Sequence, residues 1–313
     1  MAGSIPASPI AEARPEARPA TTTLAGEAWR RFRRHRLALA GALLLAVIAA
    51  GVVAGPFVYR TPVDEIDFKT KLRGPSASHP LGTDDLGQDL LARVLYGGRI
   101  SLAVGVVAML IALTLGVTVG ALAGYHGGVV DHGLMRLTDL FLSLPQLPLL
   151  LLIVYLFRDT VRKVLGPEAG IFVLVVAVIG GLRWMPVARI VRAQFLTLRE
   201  QEFVVAARGL GAPPGRQILR HILPNAFGPV VVAASLDVAF AIVFESTLSF
   251  LGLGFPPDVP TWGRILFDAK DNLDHAPHWA LFPGIAIFLT VLSINYIGDG
   301  LRDALDPRKV IAR

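Results

Sequence analysis

Residues 37–59, LALAGALLLAVIAAGVVAGPFVY, form an uncharged run long enough to cross a membrane, and WRRFRRHR stands directly before it. A hydrocarbon core of about 30 Å takes about 20 mostly apolar residues per helix. Inside it every backbone N–H and C=O must be satisfied by the chain itself, which restricts such a run to a helix. Comparable runs recur at 100–124, 137–157, 169–182, 227–251 and 279–297. The expected fold is therefore an all-α integral membrane protein with six transmembrane helices. Composition agrees: 53% of the residues are hydrophobic and only 17% charged, where soluble domains carry about 25% charged residues. The absence of cysteine excludes disulfide scaffolds, zinc–thiolate centres and thiol nucleophiles.

The net charge of +6 is concentrated in a few segments, which reads as membrane topology rather than as a nucleic-acid footprint. Six spans place both termini on one side. Arg30, Arg31, Arg33, Arg34 and Arg36, then Arg192, Arg199, Arg208, Arg216 and Arg220, and finally Arg302, Arg308 and Lys309 mark that side as the inner one. The opposite side carries Asp64, Glu65, Asp67, Asp84, Asp85 and Asp89 in one segment and Asp258, Asp268, Asp271 and Asp274 in another. Arg158, Arg162 and Lys163 run against the bias, so the assignment rests on the total.

The organisation expected is a disordered cytoplasmic tail at 1–28, a first span within 29–59, an outer segment at 60–99, a five-helix core at 100–301 and a cytoplasmic tail at 302–313. The leading segment is too long for a cleaved signal peptide. Leu86, Leu90, Leu91, Val94 and Leu95 recur at helical spacing and predict an amphipathic helix on the outer surface. Pro145 and Pro148 kink or interrupt the third span, and a kinked span is a candidate lining for a pathway. Asp237 and Glu245 fall inside the fifth span, where an ionisable group costs at least about 2.5 kcal/mol and so avoids lipid. They either line the path or bond a neighbouring helix. His275 and His278, beside Asp271 and Asp274, are read as an outer loop rather than as metal ligands, and His126 and His132 as solvated.

One polar passage interrupts this apolar chain. In EFVVAARGLGAPPGRQILRHILPN, residues 202–225, a short helix carries Phe203, Ala206, Ala207 and Leu210 on one stripe. Gly209, Gly211, Pro213, Pro214 and Gly215 force a turn, and helical spacing resumes until Pro224 stops it. Such a hairpin, within 193–225, either connects two spans or offers a small-residue face to a partner. The passage resembles the cytoplasmic loop of ABC-transporter permease subunits, whose pattern is Glu-Ala-Ala, three residues, Gly, nine residues, Ile, any residue, Leu-Pro. Ala206, Ala207, Gly211, Leu223 and Pro224 match it, while Val205 replaces the Glu and His221 the Ile.

HPLGTDDLGQDLLARVLYGGRISL (79–102), DLFLSLPQLPLL (139–150), ESTLSFLGLG (245–254), PTWGRIL (260–266) and NYIGDGLRDALDPR (295–308) extend the resemblance to nearly everything from Trp29 onward, with Gln88 in place of a usual Arg. They are similar to the second permease subunit of binding-protein-dependent dipeptide, oligopeptide and nickel importers. The resemblance implies a type I ABC importer permease (MetI-like) fold in the bacterial cytoplasmic membrane. It implies that the hairpin couples to a groove on an ATPase, and that the partners are a second permease subunit, two ABC ATPase subunits and an extracytoplasmic substrate-binding protein. Membrane lipid surrounds the chain and nucleic acid has no part. The chain itself would bind no cofactor, ATP and Mg being used by the ATPases. Its own residues agree: there is no Gly-x4-Gly-Lys-Ser/Thr loop, no Gly-x-Ser-x-Gly elbow and no His-Glu-x-x-His pair. The implied cargo is a di- or oligopeptide, with nickel or another small solute as the alternative. A self-sufficient secondary transporter would call for inverted repeats and paired broken helices, and no such symmetry is apparent.

Overall fold

The computed structural model describes residues 24–305, and within them one isolated antiparallel bridge, Thr83 to Asp89, is the sole β pairing. Residues 1–23 and 306–313, with Arg308 and Lys309, lie outside this range. The described chain begins with α1 (Leu24–Phe32), so the part of the expected tail from residue 24 onward is helical. A short turn leads into α2 (Arg36–Val58), whose first turn is capped by the His35 ring accepting from the Ala38 amide.

After the 60–89 segment, α3 (Leu90–His126) runs unbroken for 37 residues, about 55 Å. The expected surface helix and the second span are thus one rod, and Leu86 lies in the turn before it. Asp89 starts this helix by accepting the Ala92 amide at 2.8 Å. Gly97 does not interrupt it; a Cβ there would overlap the Pro260 carbonyl, so the glycine marks a close approach. The rod defines two ends of the molecule. Leu90 lies at a polar cap built from the 60–89 segment, and His126 lies beside the hairpin.

Only Gly127 separates α3 from α4 (Gly128–Ser143), a shorter turn than the sequence suggests. The third span is broken rather than kinked: α4 and α5 (Gln146–Leu165) meet at 85°. Pro145 caps α5 and Pro148 sits in its first turn, where a missing amide hydrogen costs nothing. A second break, at Leu182 and Arg183, divides α6 (Pro167–Gly181) from α7 (Trp184–Leu198).

The hairpin consists of α8 (Glu202–Gly209), a turn, α9 (Pro214–Arg216) and a wide π turn at Gln217–Ile222. Pro224 does not stop the second arm. It falls in the first turn of α10 (Leu223–Phe250), and the widened turn carries the Leu223 amide back to the Ile218 carbonyl. A π turn accommodates what a regular one cannot, because a proline ring collides with the carbonyl four residues earlier. A loop, α11 (Trp262–Ala269) and α12 (Pro277–Leu305) complete the described chain.

Arg36–Val58, Leu90–His126, Pro167–Leu198, Pro214–Phe250 and Pro277–Leu305 are each long and apolar enough to cross a membrane, and the bent α4–α5 pair supplies a sixth, broken span. Val104, Val154, Ile171, Val175, Ile179 and Leu248 form the central core where α3, α5, α6 and α10 meet. A second core at the hairpin end packs Val187, Val191 and Phe195 against Val204, Ile222 and Ala226.

Candidate functional site

Only one face of the hairpin is used internally. Val204 and Ile222, one from each arm, are fully buried and clamp it to α7 and α10. Gln217, buried between the arms, accepts from the Tyr125 hydroxyl at 3.0 Å and donates to the Ala212 carbonyl at 2.7 Å. Together these pin the loop to the end of α3. Gly211 closes α8 with φ +81°: its amide reaches the Arg208 carbonyl and the Ala212 amide reaches the Ala207 carbonyl, both at 3.0 Å. That is the Schellman arrangement, in which the left-handed position suits glycine.

The other face is bare. Phe203, Val205, Ala206, Leu219 and Pro224 are exposed, and Leu210 is 90% exposed. Ala207 departs from the expected free stripe and turns inward beside Val204, whereas Ala206 stays outward. His221 and Leu223 are half-buried at the root of the second arm. An apolar rim around a glycine turn with open space beside it is a surface that leaves room for another backbone.

The hairpin is continuous with α7, and α7 is tied to α4 by charge. Arg192 donates to Asp131 through Nε and, at 2.6 Å, through Nη2, and Arg189 pairs with Asp139 at 2.5 Å. Arg199, between α7 and α8, donates to the Gly124 carbonyl at 3.0 Å. A movement of the hairpin therefore bears directly on α3, α4 and α7. The Arg192–Asp131 contact is bidentate and so fixes position as well as energy, whereas Arg189–Asp139 is a single exposed contact.

Neither acid of the fifth span faces lipid. Asp237 meets Arg183 at the α6–α7 break, with Nη2 and Nε at 2.5 and 3.1 Å from Oδ1, and the guanidinium lies over the Phe240 ring. Glu245 is fully buried and accepts from Ser249 at 2.8 Å and from Ser101 at 3.2 Å. Ser101 in turn accepts the Trp262 amide, and the Trp262 indole donates to the Val94 carbonyl at 2.9 Å. Glu245 thus knots α3, α10 and α11 together. Gln146, next to Pro145, donates to the Leu182 carbonyl and so joins the two helix breaks.

At the cap, Asp89 accepts from Tyr59 and His79 at 2.8 and 2.9 Å. Arg93 contacts Gln88, Asp84, Asp268 and the Pro257 carbonyl, so Gln88 supplies an acceptor next to a guanidinium. These groups border an open cleft of about 580 Å³ edged by Asp64, Asp85, Asp258 and Asp271. Burial pushes the Asp84 and Asp268 carboxyls up, against the opposing charges of Arg93 and Arg264 respectively. The two acidic segments of the sequence therefore meet on one side. Arg158 donates to the Gly252 carbonyl and belongs to this end too. No cluster of metal-ligating side chains occurs among the described residues, His275 and His278 included. Arg183, Gln217 and the two α4–α7 pairs escape the sequence reading, because a basic residue at a span's end looks like topology until its counter-ion is located.

The profile of the family described as "Binding-protein-dependent transport system inner membrane component" matches residues 116–311, and "N-terminal TM domain of oligopeptide transport permease C" matches 23–75. The chain is 38% identical to the dipeptide transport system permease protein DppC of Alkalihalophilus pseudofirmus, over 90% of this chain and 89% of that one. It is 40% identical to the oligopeptide transport system permease protein OppC of Haemophilus influenzae, over 90% and 88%. It is 39% identical to the glutathione transport system permease protein GsiD of Pectobacterium atrosepticum, over 90% of each. Among solved structures, a chain of the MetNI methionine ABC transporter in inward-facing conformations shares the fold, with a TM-score of 0.53 at 19% identity, covering 69% of this chain and 96% of that one.

Proposed function

The chain belongs to the family of binding-protein-dependent transport system inner membrane components, and from that premise we propose that it is the second permease subunit of an ATP-driven importer of di- or oligopeptides. The observation that carries the reading is the exposed apolar hairpin around Gly211, fastened to α3 and α7 on one side and open on the other. In this reading the hairpin seats in a groove on an ABC ATPase, and two such ATPases use ATP and Mg while this chain binds neither. A second permease subunit completes the path, and an extracytoplasmic binding protein delivers cargo at the acidic cap. The arginines of the hairpin end support a cytoplasmic placement for it and for both termini. The peptide cargo is supported by what the relatives are named for.

Mechanically, ATPase closure displaces the hairpin, and the Arg192–Asp131 and Arg189–Asp139 pairs carry that displacement into α4, beside the break at Pro145. Two broken spans then meet near Gln146 and Leu182. Irregular backbone at that depth is tolerated where protein or a cavity covers it.

The experiment is reconstitution in proteoliposomes with the partner permease, ATPases and binding protein. Uptake of labelled dipeptide should require ATP and all partners, and the purified chain alone should not bind nucleotide. Micromolar nucleotide binding by the isolated chain, or peptide uptake without the ATPases, overturns the reading. Nickel uptake with no peptide uptake would leave the permease assignment and replace the cargo.

A further inference from the structure

The basic sequence before the first span does more than count toward topology. α1 is held against the far end of α12: Phe32 is buried with Ala38 and Ala304, and Ala28, Ile297 and Leu301 pack around them. His35 keeps the following turn in register, accepting the Ala38 amide through Nδ1 while its Nε2 stands 3.8 Å from Asp303. α2 runs from here to Tyr59, which bonds Asp89 at the cap, so α1 lies at the hairpin end where a span meets water.

With that inner face fixed, the outer face of this chain is exposed. Arg30, Arg33, Arg34 and Arg36 are exposed, and no described side chain pairs with any of them. Trp29, 58% exposed, stacks its ring at 6.0 Å on Phe32 and so stays among these cations. A positive-inside signal requires only the number of charges. It does not require that four of them be exposed on and just behind a docked helix, without a counter-ion among the described side chains, beside an indole. Guanidinium groups are suited to bidentate contact with phosphate oxygens. Indole rings settle at the headgroup level, and clustered cations next to a span attract an anionic leaflet.

We propose that α1 and the turn behind it form a binding surface for anionic phospholipid headgroups, with Arg30, Arg33, Arg34 and Arg36 as phosphate ligands and Trp29 as the interfacial anchor. The proposal is independent of the cargo and of the hairpin's role. Since α1 leans on α12, bound lipid would also hold the end of the last span.

The test uses the full chain assembled with its partners in nanodiscs. Photoactivatable phosphatidylglycerol and phosphatidylcholine of identical acyl chains are captured by ultraviolet light, and the labelled peptides are mapped by mass spectrometry. Phosphatidylglycerol should label residues 24–36 at least fivefold above phosphatidylcholine. The excess should shrink in 0.5 M salt, because exposed charges are screened, and should survive 50 mM inorganic phosphate at constant ionic strength. Replacing Arg33→Gln with Arg34→Gln, which leaves Arg30 and Arg36 for topology, should bring the two lipids to within twofold of each other, and the paired Arg→Lys changes should keep most of the excess. Equal labelling by the two lipids, or no response to the Gln changes in protein whose topology is intact by cysteine accessibility, overturns the proposal. So does labelling that appears with the lone chain and vanishes in the complete importer, since a protein partner would then own this surface.

Discussion

Two helices end in the same way at opposite ends of this molecule. α8 stops at Gly211 with φ +81°, and α10 stops at Gly252 with φ +78°. In each the next amide, of Ala212 or Leu253, reaches back to a carbonyl five residues earlier, Ala207 or Leu248, at 3.0 Å. The local chemistry is one motif; the surroundings are opposite. The Phe267 ring stands 3.3 Å from where a Cβ would sit on Gly252, and Arg158 donates to its carbonyl, whereas nothing lies within 4 Å of that position on Gly211. The cap closes on itself through Glu245, Ser101, Trp262, Arg93 and Asp89. The hairpin end is finished on one face only. An exposed apolar rim marks where another molecule belongs, and the contrast separates a glycine turn buried in its own fold from one left open for a partner.

The strongest test of that contrast is Gly97→Val. Because a Cβ at Gly97 would overlap the Pro260 carbonyl, α3 and the loop before α11 must separate, and the Trp262 bonds to Ser101 and Val94 are lost with them. Overpacking against backbone costs about 3 kcal/mol or more. The yield of monodisperse protein in detergent should fall at least tenfold, and wild-type yield and melting temperature would show that the cap is not rigid.

Next in size is Arg183→Gln, which strands the buried Asp237 carboxylate between the two ends. Removing one partner of a buried pair costs about 3–5 kcal/mol, while replacing both is far milder. Thermal melting of Arg183→Gln should drop sharply, and adding Asp237→Asn should recover most of the loss. If the double change is as unstable as the single one, the pair is not what holds α7 to α10.

How much of this was legible in the sequence depends on distance along the chain. The Gly211 turn and the outward Phe203, Ala206 and Leu210 could be read from turn chemistry and helical spacing, which are local, whereas the inward Ala207 and the outward Val205 and Leu219 could not. The six spans could be read because a bilayer imposes length. The continuity of α10 through Pro224 could not, since a proline that ends a helix and one that opens the next turn look alike in sequence. Nor could the pairing of Asp237 with Arg183, 54 residues away, or of Ser101 with Trp262, 161 away. Quoted stretches such as ESTLSFLGLG, PTWGRIL and YGGRIS read as separate motifs and prove to be one knot, because the contacts that unite them are tertiary.

Smaller in stability but larger in function is the matched pair Gly211→Val and Gly252→Val. Both put a β-branched residue into a left-handed position, at about 1–2 kcal/mol each. Gly252→Val must also displace Phe267, so its melting temperature should fall further. Gly211→Val should insert and lose no more than that left-handed cost, while ATPase association or peptide-stimulated ATP hydrolysis falls at least tenfold. Normal hydrolysis by Gly211→Val complexes would make the hairpin a connector, and equal destabilisation of the two variants would erase the contrast between the ends.

The smallest effect is expected at Val205→Glu, which restores the residue of the resembled permease pattern. Val205 is 51% exposed on α8, so its side chain contributes little to the internal clamp made by Val204. A glutamate has the higher helix propensity by a few tenths of a kcal/mol. It would stand three residues before Arg208, a spacing that adds about 0.2–0.5 kcal/mol. Melting should therefore move by less than about 0.5 kcal/mol, and coupled hydrolysis should stay within twofold of wild type. The informative failure is functional. If Val205→Glu melts normally yet loses hydrolysis more than fivefold, the partner's groove is lined to receive an apolar side chain at this position. The rim of Phe203, Val205, Leu210 and Leu219 would then be the contact itself, and not merely the edge of a glycine turn.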